Sequence, residues 1–245
     1  MRRLPLLLTV ALGSLLLFAV QPLAGKWLLP WFGGAPAVWG TCLLFFQLAL
    51  LAGYAWAAWL LSQPLRTQIL GHLIVVALGL ASLPLRPDAG WADSHLPPAL
   101  AVLALLTVEL GLPAMALATT APLFQGWAAR LDPGRDPYRL AAVSNAGSLL
   151  ALLAYPLLIE PQFTRSAQAN AFALGLGLYA AVVGWSIITL KTHARAPQLP
   201  TPCPAPTERW LWLALVARLH YYSPVVHYQR WVDESRSCAV DSRQV

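Results

Sequence analysis

Charge is what this sequence has least of. Only 11% of its residues are Asp, Glu, Lys or Arg, while 58% are hydrophobic. Soluble domains average about 25% charged residues, so the water-soluble globular classes are excluded and a polytopic membrane protein is the class that fits. Cysteine is equally scarce. Of the three, Cys42 lies in an apolar run, and Cys203 and Cys238 lie far apart near the C-terminus without CxxC or histidine spacing. That pattern supports neither a disulfide framework nor a metal site. Catalytic signatures are missing too. There is no GxSxG, HExxH or P-loop, and Gly175-Leu-Gly177 lies in an apolar helix with no strand before it, so it is not a dinucleotide fingerprint. The sequence therefore predicts no catalytic residue, no metal and no cofactor.

What is present is apolar length. From Ala35 to Leu61 the chain carries no charged side chain, and a helix needs only ~20 residues to cross the hydrocarbon core of a bilayer. Six such segments are predicted, over residues 4–20, 37–61, 68–85, 98–124, 138–159 and 167–190. Together they make an all-α membrane bundle occupying residues 1–195, with the lipid bilayer as its first partner. Met1-Arg2-Arg3 before an apolar run resembles a signal peptide, but no A-x-A cleavage pattern follows, so the run is expected to stay as the first helix. Pro30, Gly33-Gly34 and Pro36 predict a loop after that helix, holding Lys26 and flanked by Trp27, Trp31 and Trp39 as an interfacial aromatic belt. Asp136-Pro137 predicts the start of the fifth helix.

Basic residues set the expected orientation. With the N-terminus inside, the inner loops hold Arg2, Arg3, Arg66, Arg130, Arg135, Arg139, Lys191 and Arg195, and the outer loops hold Lys26, Arg86 and Arg165. That asymmetry places the N-terminus and residue 195 onward in the cytoplasm. The net charge of +6 is thereby read as topological rather than as a nucleic-acid surface, and no nucleic-acid partner is expected. Residues 196–209 are proline-rich and read as a linker. Residues 210–245 read as a short apolar stub and a poorly ordered tail, since the run from Trp210 to Ala217 is too short to span.

Glu109 is the one carboxylate well inside an apolar segment. Eleven residues from Pro98 put it roughly 16 Å along its helix, and Gln47 comes to a similar depth in the second helix. Glu109 reads either as a protonated acid that hydrogen-bonds Gln47 as helix glue, or as a site of proton or substrate coupling. Asn145, with Ser144 and Ser148, forms a small polar cluster that favours close helix approach, and with Glu109 and Gln47 it is a candidate for substrate or proton coupling. Ala167, Ala171 and Gly175, and separately Ala173, Gly177 and Ala181, form rows of small residues expected to be helix contact faces. His72, one turn into the third predicted helix, reads as a solvated interfacial histidine. Glu160 reads as a cap or loop anchor beside Pro161. GSLLLFAVQPL from Gly13 and GSLLALLAYPL from Gly147 form a weak internal echo.

Four stretches carry a family resemblance: QPLAGKWLLPWFGGAPAVW from Gln21, FFQLALLAGYAWA from Phe45, LPAMALATTAPLFQGW from Leu112 and DPYRLAAVSNAGSLLALLAYPLLIEP from Asp136. Together they resemble the membrane domain of bacterial fused spermidine-synthase-like proteins, over about residues 21–190. The resemblance implies a bundle similar to half of a major-facilitator arrangement, in the bacterial inner membrane, with a small cationic, polyamine-like solute as ligand. It also implies a second membrane half and an aminopropyltransferase-type domain, neither of which follows in this sequence. Two readings stay open on it: a non-catalytic transporter-like domain, or a membrane anchor for a separately encoded soluble synthase. The loss of apolar pattern near Arg218 suggests a shifted frame or truncated end, which would make a third outcome a product without activity.

Overall fold

The computed structural model describes residues 4–85, 87, 89–91, 95–131 and 138–193. The linker, the tail and the Asp136-Pro137 helix start lie outside them. The described chain folds as α1 (Leu4–Phe32), α2 (Pro36–Leu61), α3 (Leu65–Ala81), a single 3-10 turn (Ala89–Trp91), α4 (Pro98–Leu131), α5 (Tyr138–Ala154) and α6 (Arg165–His193). Between α5 and α6, the helix continues as a π-helical segment, Tyr155–Ile159, and a turn, Glu160–Gln162. No strand occurs among the described residues. Five helical stretches are long and apolar enough to cross a membrane, namely Leu4–Phe32, Pro36–Leu61, Pro98–Arg130, Tyr138–Gln162 and Arg165–Leu190. Their number and surface mark a multi-pass membrane protein: Leu149, Leu150, Leu157, Leu174 and Ile188 all project outward at 58% exposure or more, an arrangement that suits lipid tails rather than water.

The helix ends differ from the expected ones for local reasons. α1 does not stop at Val20; it runs through Pro22 and past Lys26 to Phe32. A proline removes one backbone hydrogen bond, a loss that neighbouring helices offset inside a membrane bundle, and Leu23, Ala24, Trp27 and Leu28 are all buried there. The stop comes at Gly33, whose φ of +72° suits a residue without Cβ, and its N–H donates to the Leu29 carbonyl at 3.0 Å. That bond is the αL helix cap. Pro36 then opens α2 at its first turn. α4 runs through Pro113 and Pro122 as expected and continues past Phe124 to Leu131, making 34 residues rather than the 27 expected. The third helix begins at Leu65 and ends at Ala81, three residues earlier and four earlier than expected.

α4 packs against α1, α2 and α3, and α1 carries α5 and α6 on its other side. Glycines set the closest approaches. A Cβ on Gly53 of α2 would stand 2.5 Å from Ala118 Cβ and 3.0 Å from the Ala118 and Thr119 backbone of α4, and one on Gly147 of α5 would stand 2.7 Å from the Ala11 carbonyl oxygen of α1. Backbones this close gain dispersion contacts, the main source of helix association in lipid.

Candidate functional site

The polar groups of this apolar bundle gather where α1, α3, α4 and α6 meet. Gly13 on α1 leaves room for them: a Cβ there would touch Thr120 Cγ2 at 3.3 Å and Tyr179 Cε2 at 3.4 Å. Tyr179 of α6 and Thr120 of α4 are fully buried, and their hydroxyls share a short hydrogen bond. The Thr120 hydroxyl also donates to the Ala116 carbonyl at 3.0 Å. His72 of α3 is 0% exposed, and its Nε2 lies 3.3 Å from the Tyr179 hydroxyl. Its Nδ1 has no hydrogen-bond partner among the described residues. Phe124 closes one side of the imidazole edge-on, with ring centroids 5.9 Å apart.

Polar contacts continue from this point in two directions. One turn down α3 from His72, Gln68 accepts from Trp127 Nε1 at 2.6 Å and donates through Nε2 to the Gln63 carbonyl at 2.6 Å. One turn down α1 from Gly13, Thr9 shares a 2.8 Å hydrogen bond with Ser186 of α6. Buried polar groups of this kind are costly in hydrocarbon unless paired, and the Nδ1 of His72 is left without a partner among the described residues. Chemically, two hydroxyls and an imidazole in sequence offer hydrogen-bond donors and acceptors to a small polar molecule. Each of the three groups is able both to give and to accept a hydrogen bond.

A second polar group closes the opposite end of α1. Lys26 pairs with Glu160 at 2.9 Å and stands 5.8 Å over the Tyr155 ring. The Tyr155 hydroxyl donates to Gln168 Oε1 at 2.8 Å, and Gln168 Nε2 donates to the Phe163 carbonyl at 2.8 Å. The π-helical turn sits between Tyr155 and Glu160, as such turns do at special positions. Beside it lies an open hollow of about 290 Å³ lined by Trp27, Trp31, Leu85, Arg165 and Ser166. The ion pair is partly exposed, at 22% and 46%, and exposed pairs contribute little. Glu160→Gln is therefore expected to lower stability by less than ~1 kcal/mol, with the difference shrinking further in high salt. Detergent-solubilised protein titrated with denaturant measures it.

The residues singled out from sequence fall elsewhere. Glu109 and Gln47 are not brought together as a pair: Gln47 is exposed on the outer face of α2, opposite the face that packs on α4, and Glu109 is half-buried on α4. Along α4, Glu109 lies eleven residues from Pro98 and Thr120 eleven residues from Leu131, so the two stand on either side of the helix centre, ~17 Å apart. Asn145 is exposed. The close approach expected around it is made by Gly147, while Ser148 donates to the Ser144 carbonyl at 3.0 Å.

On α6 the small residues do not form the contact face. Ala171, Gly177 and Ala181 are exposed, Ala167 and Ala173 are half-buried, and Gly175 meets α1, with Leu16 Cδ2 2.7 Å from where its Cβ would be. Phe172, Leu176, Tyr179 and Val183 form that face instead. His72 is no interfacial histidine but a fully buried one. The signal that finds it is Gln68 and His72 four residues apart, two polar side chains on one face of an apolar helix. Glu160 stands at the end of the π-helical segment, where its N–H donates to the Tyr155 carbonyl, and its carboxylate adds the ion pair to Lys26. Metal-ligating clusters are not found among the described residues.

Comparisons of the chain with family models, curated proteins and solved structures give no match.

Proposed function

We propose that this chain is a transporter-like membrane domain that binds and passes a small polar solute, using the His72, Tyr179 and Thr120 cluster as its polar site. One observation carries the reading: a completely buried imidazole whose Nδ1 has no partner among the described residues, held at Nε2 by a tyrosine on a different helix. Polar side chains inside membrane bundles are costly and mark solute or proton pathways. In this reading α3 is the sixth crossing, since 17 residues make ~26 Å, the lower end of a span. The charge asymmetry puts the N-terminus and the end of α6 on the cytoplasmic face of a bacterial inner membrane. The resemblance to spermidine-synthase-like membrane domains makes a linear polyamine the first solute to try, and makes this bundle one half of a larger arrangement.

The test uses purified protein in proteoliposomes. Uptake of labelled polyamines and of small neutral amides is followed with and without an imposed pH gradient, alongside thermal stabilisation by the same panel in detergent. The expected outcome is uptake of at least one solute, reduced tenfold or more by His72→Gln at unchanged protein folding. Uptake equal in wild type and His72→Gln, or neither binding nor uptake of any panel member, overturns the reading. Reporters at Gln63 and Ser82 on opposite sides of the membrane support the sixth crossing.

A further inference from the structure

The outer face of α2 carries an amide that the chain itself does not use. Gly40, Leu44, Gln47, Leu51, Tyr54 and Ala58 are all exposed and follow one another at alternating spacings of four and three, the spacing of a seam between two left-handed supercoiled helices. Leu44, Leu51 and Tyr54 are 50%, 59% and 50% exposed. A Cβ at Gly40 would meet nothing within 4 Å, so the upper end of the stripe is open to an approaching backbone. In the middle stands Gln47, whose side chain makes no hydrogen bond among the described residues and is turned away from α4.

Depth makes this amide unusual. Gln47 is eight residues, ~12 Å, inside the level of Trp39, whose ring packs over Gly25 near the aromatic belt. It is fourteen residues, ~21 Å, from Leu61 at the other end. Too short to reach water from there, its side chain faces lipid tails that offer no hydrogen bond. Of the other exposed amides among the described residues, Asn145 is only seven residues from Tyr138 at a helix end, ~11 Å, Asn170 is five from Arg165, ~8 Å, and Gln162 lies in the turn before α6, so none carries such an argument.

We propose that a second copy of this chain covers the stripe, so that the protein is a homodimer through α2. A carboxamide is both donor and acceptor and therefore complements itself. Two copies inserted with the same topology are related by a two-fold axis along the membrane normal, which sets α2 parallel to its symmetry mate and brings Gln47 opposite Gln47. Paired amides in hydrocarbon hold such helices together and fix their register.

The experiment uses the full chain with Cys203→Ser and Cys238→Ser, leaving the buried Cys42. Single cysteines replace Gln47, Leu51 and, as a control on α6, Leu174, which is 77% exposed. Oxidative cross-linking in lipid vesicles is expected to give dimers for Gln47→Cys and Leu51→Cys and none for Leu174→Cys. Light scattering in detergent is expected to show a dimer whose dissociation constant rises at least tenfold in Gln47→Leu and is largely retained in Gln47→Asn. Helical content and melting of Gln47→Leu serve as the folding control, since Gln47 lies on the exposed face of α2. A monomer in both detergent and vesicles, a dimer indifferent to Gln47→Leu, or cross-links from Gln47→Cys only to a different protein overturns the proposal.

Discussion

Tyr179→Ala is expected to destabilise the bundle by ~3–5 kcal/mol, the cost of deleting a fully buried aromatic ring. Tyr179 is 0% exposed and joins α6 to α4 and α3 at once. Tyr179→Phe separates the ring from the hydroxyl. It retains the packing, but His72 Nε2 loses its partner while Nδ1 already has none among the described residues, so a loss of ~1–3 kcal/mol is expected from an unsatisfied buried group. Thr120 is cushioned, because its hydroxyl still donates to the Ala116 carbonyl. The double variant Tyr179→Phe with His72→Leu then costs less than the sum of the singles, since removing both partners leaves less unpaired. Unfolding in mixed micelles, followed by circular dichroism, decides the matter. A Tyr179→Ala protein as stable as wild type within ~0.5 kcal/mol, the ordinary range of neutral substitutions, would refute the picture of Tyr179 as the joint between these helices.

The second large effect is expected at Gly53. Ala118 and Thr119 approach it with backbone atoms, 3.0 Å from where a Cβ would stand, and backbone cannot swing aside as a leucine tip can. Gly53→Leu must therefore part α2 from α4, and overpacking of this kind costs about 1–3 kcal/mol or more. Gly177→Leu provides the contrast, because a Cβ there meets nothing within 4 Å, and it is expected to be nearly neutral. Combining Gly53→Ala with Ala118→Gly removes the 2.5 Å Cβ–Cβ clash but leaves the two 3.0 Å backbone contacts, and should recover only part of the stability lost in Gly53→Ala alone. Equal stability of Gly53→Leu and Gly177→Leu in the same micelle titration would contradict the close α2–α4 contact.

Much of the fold is legible in the order of the residues, because a bilayer imposes a simple rule of long uncharged runs with polar breaks. The run from Ala35 to Leu61 announces α2 within a residue at either end, and the five long apolar helices fall where apolar runs were expected. Breaks were harder to read. Pro30 looks like punctuation in sequence, yet it lies inside α1, since a proline ends a helix only when its freed carbonyl and lost contacts are not made good by neighbours. The candidate site was legible least. Glu109 stands out by charge, whereas His72, Thr120 and Tyr179 are separated by tens of residues and carry no charge pattern that links them.

The sequence by itself determined that the chain is helical, apolar and suited to a lipid bilayer, because backbone groups in hydrocarbon must be satisfied within each segment and that requirement acts locally. Which face of each helix turns inward was decided only by the tertiary structure. Every helix here is apolar nearly all round, so no amphipathic stripe names its buried side. Packing at Gly13, Gly53 and Gly147 makes that choice, and by making it turns His72 and Tyr179 into the interior and leaves Gln47 facing out.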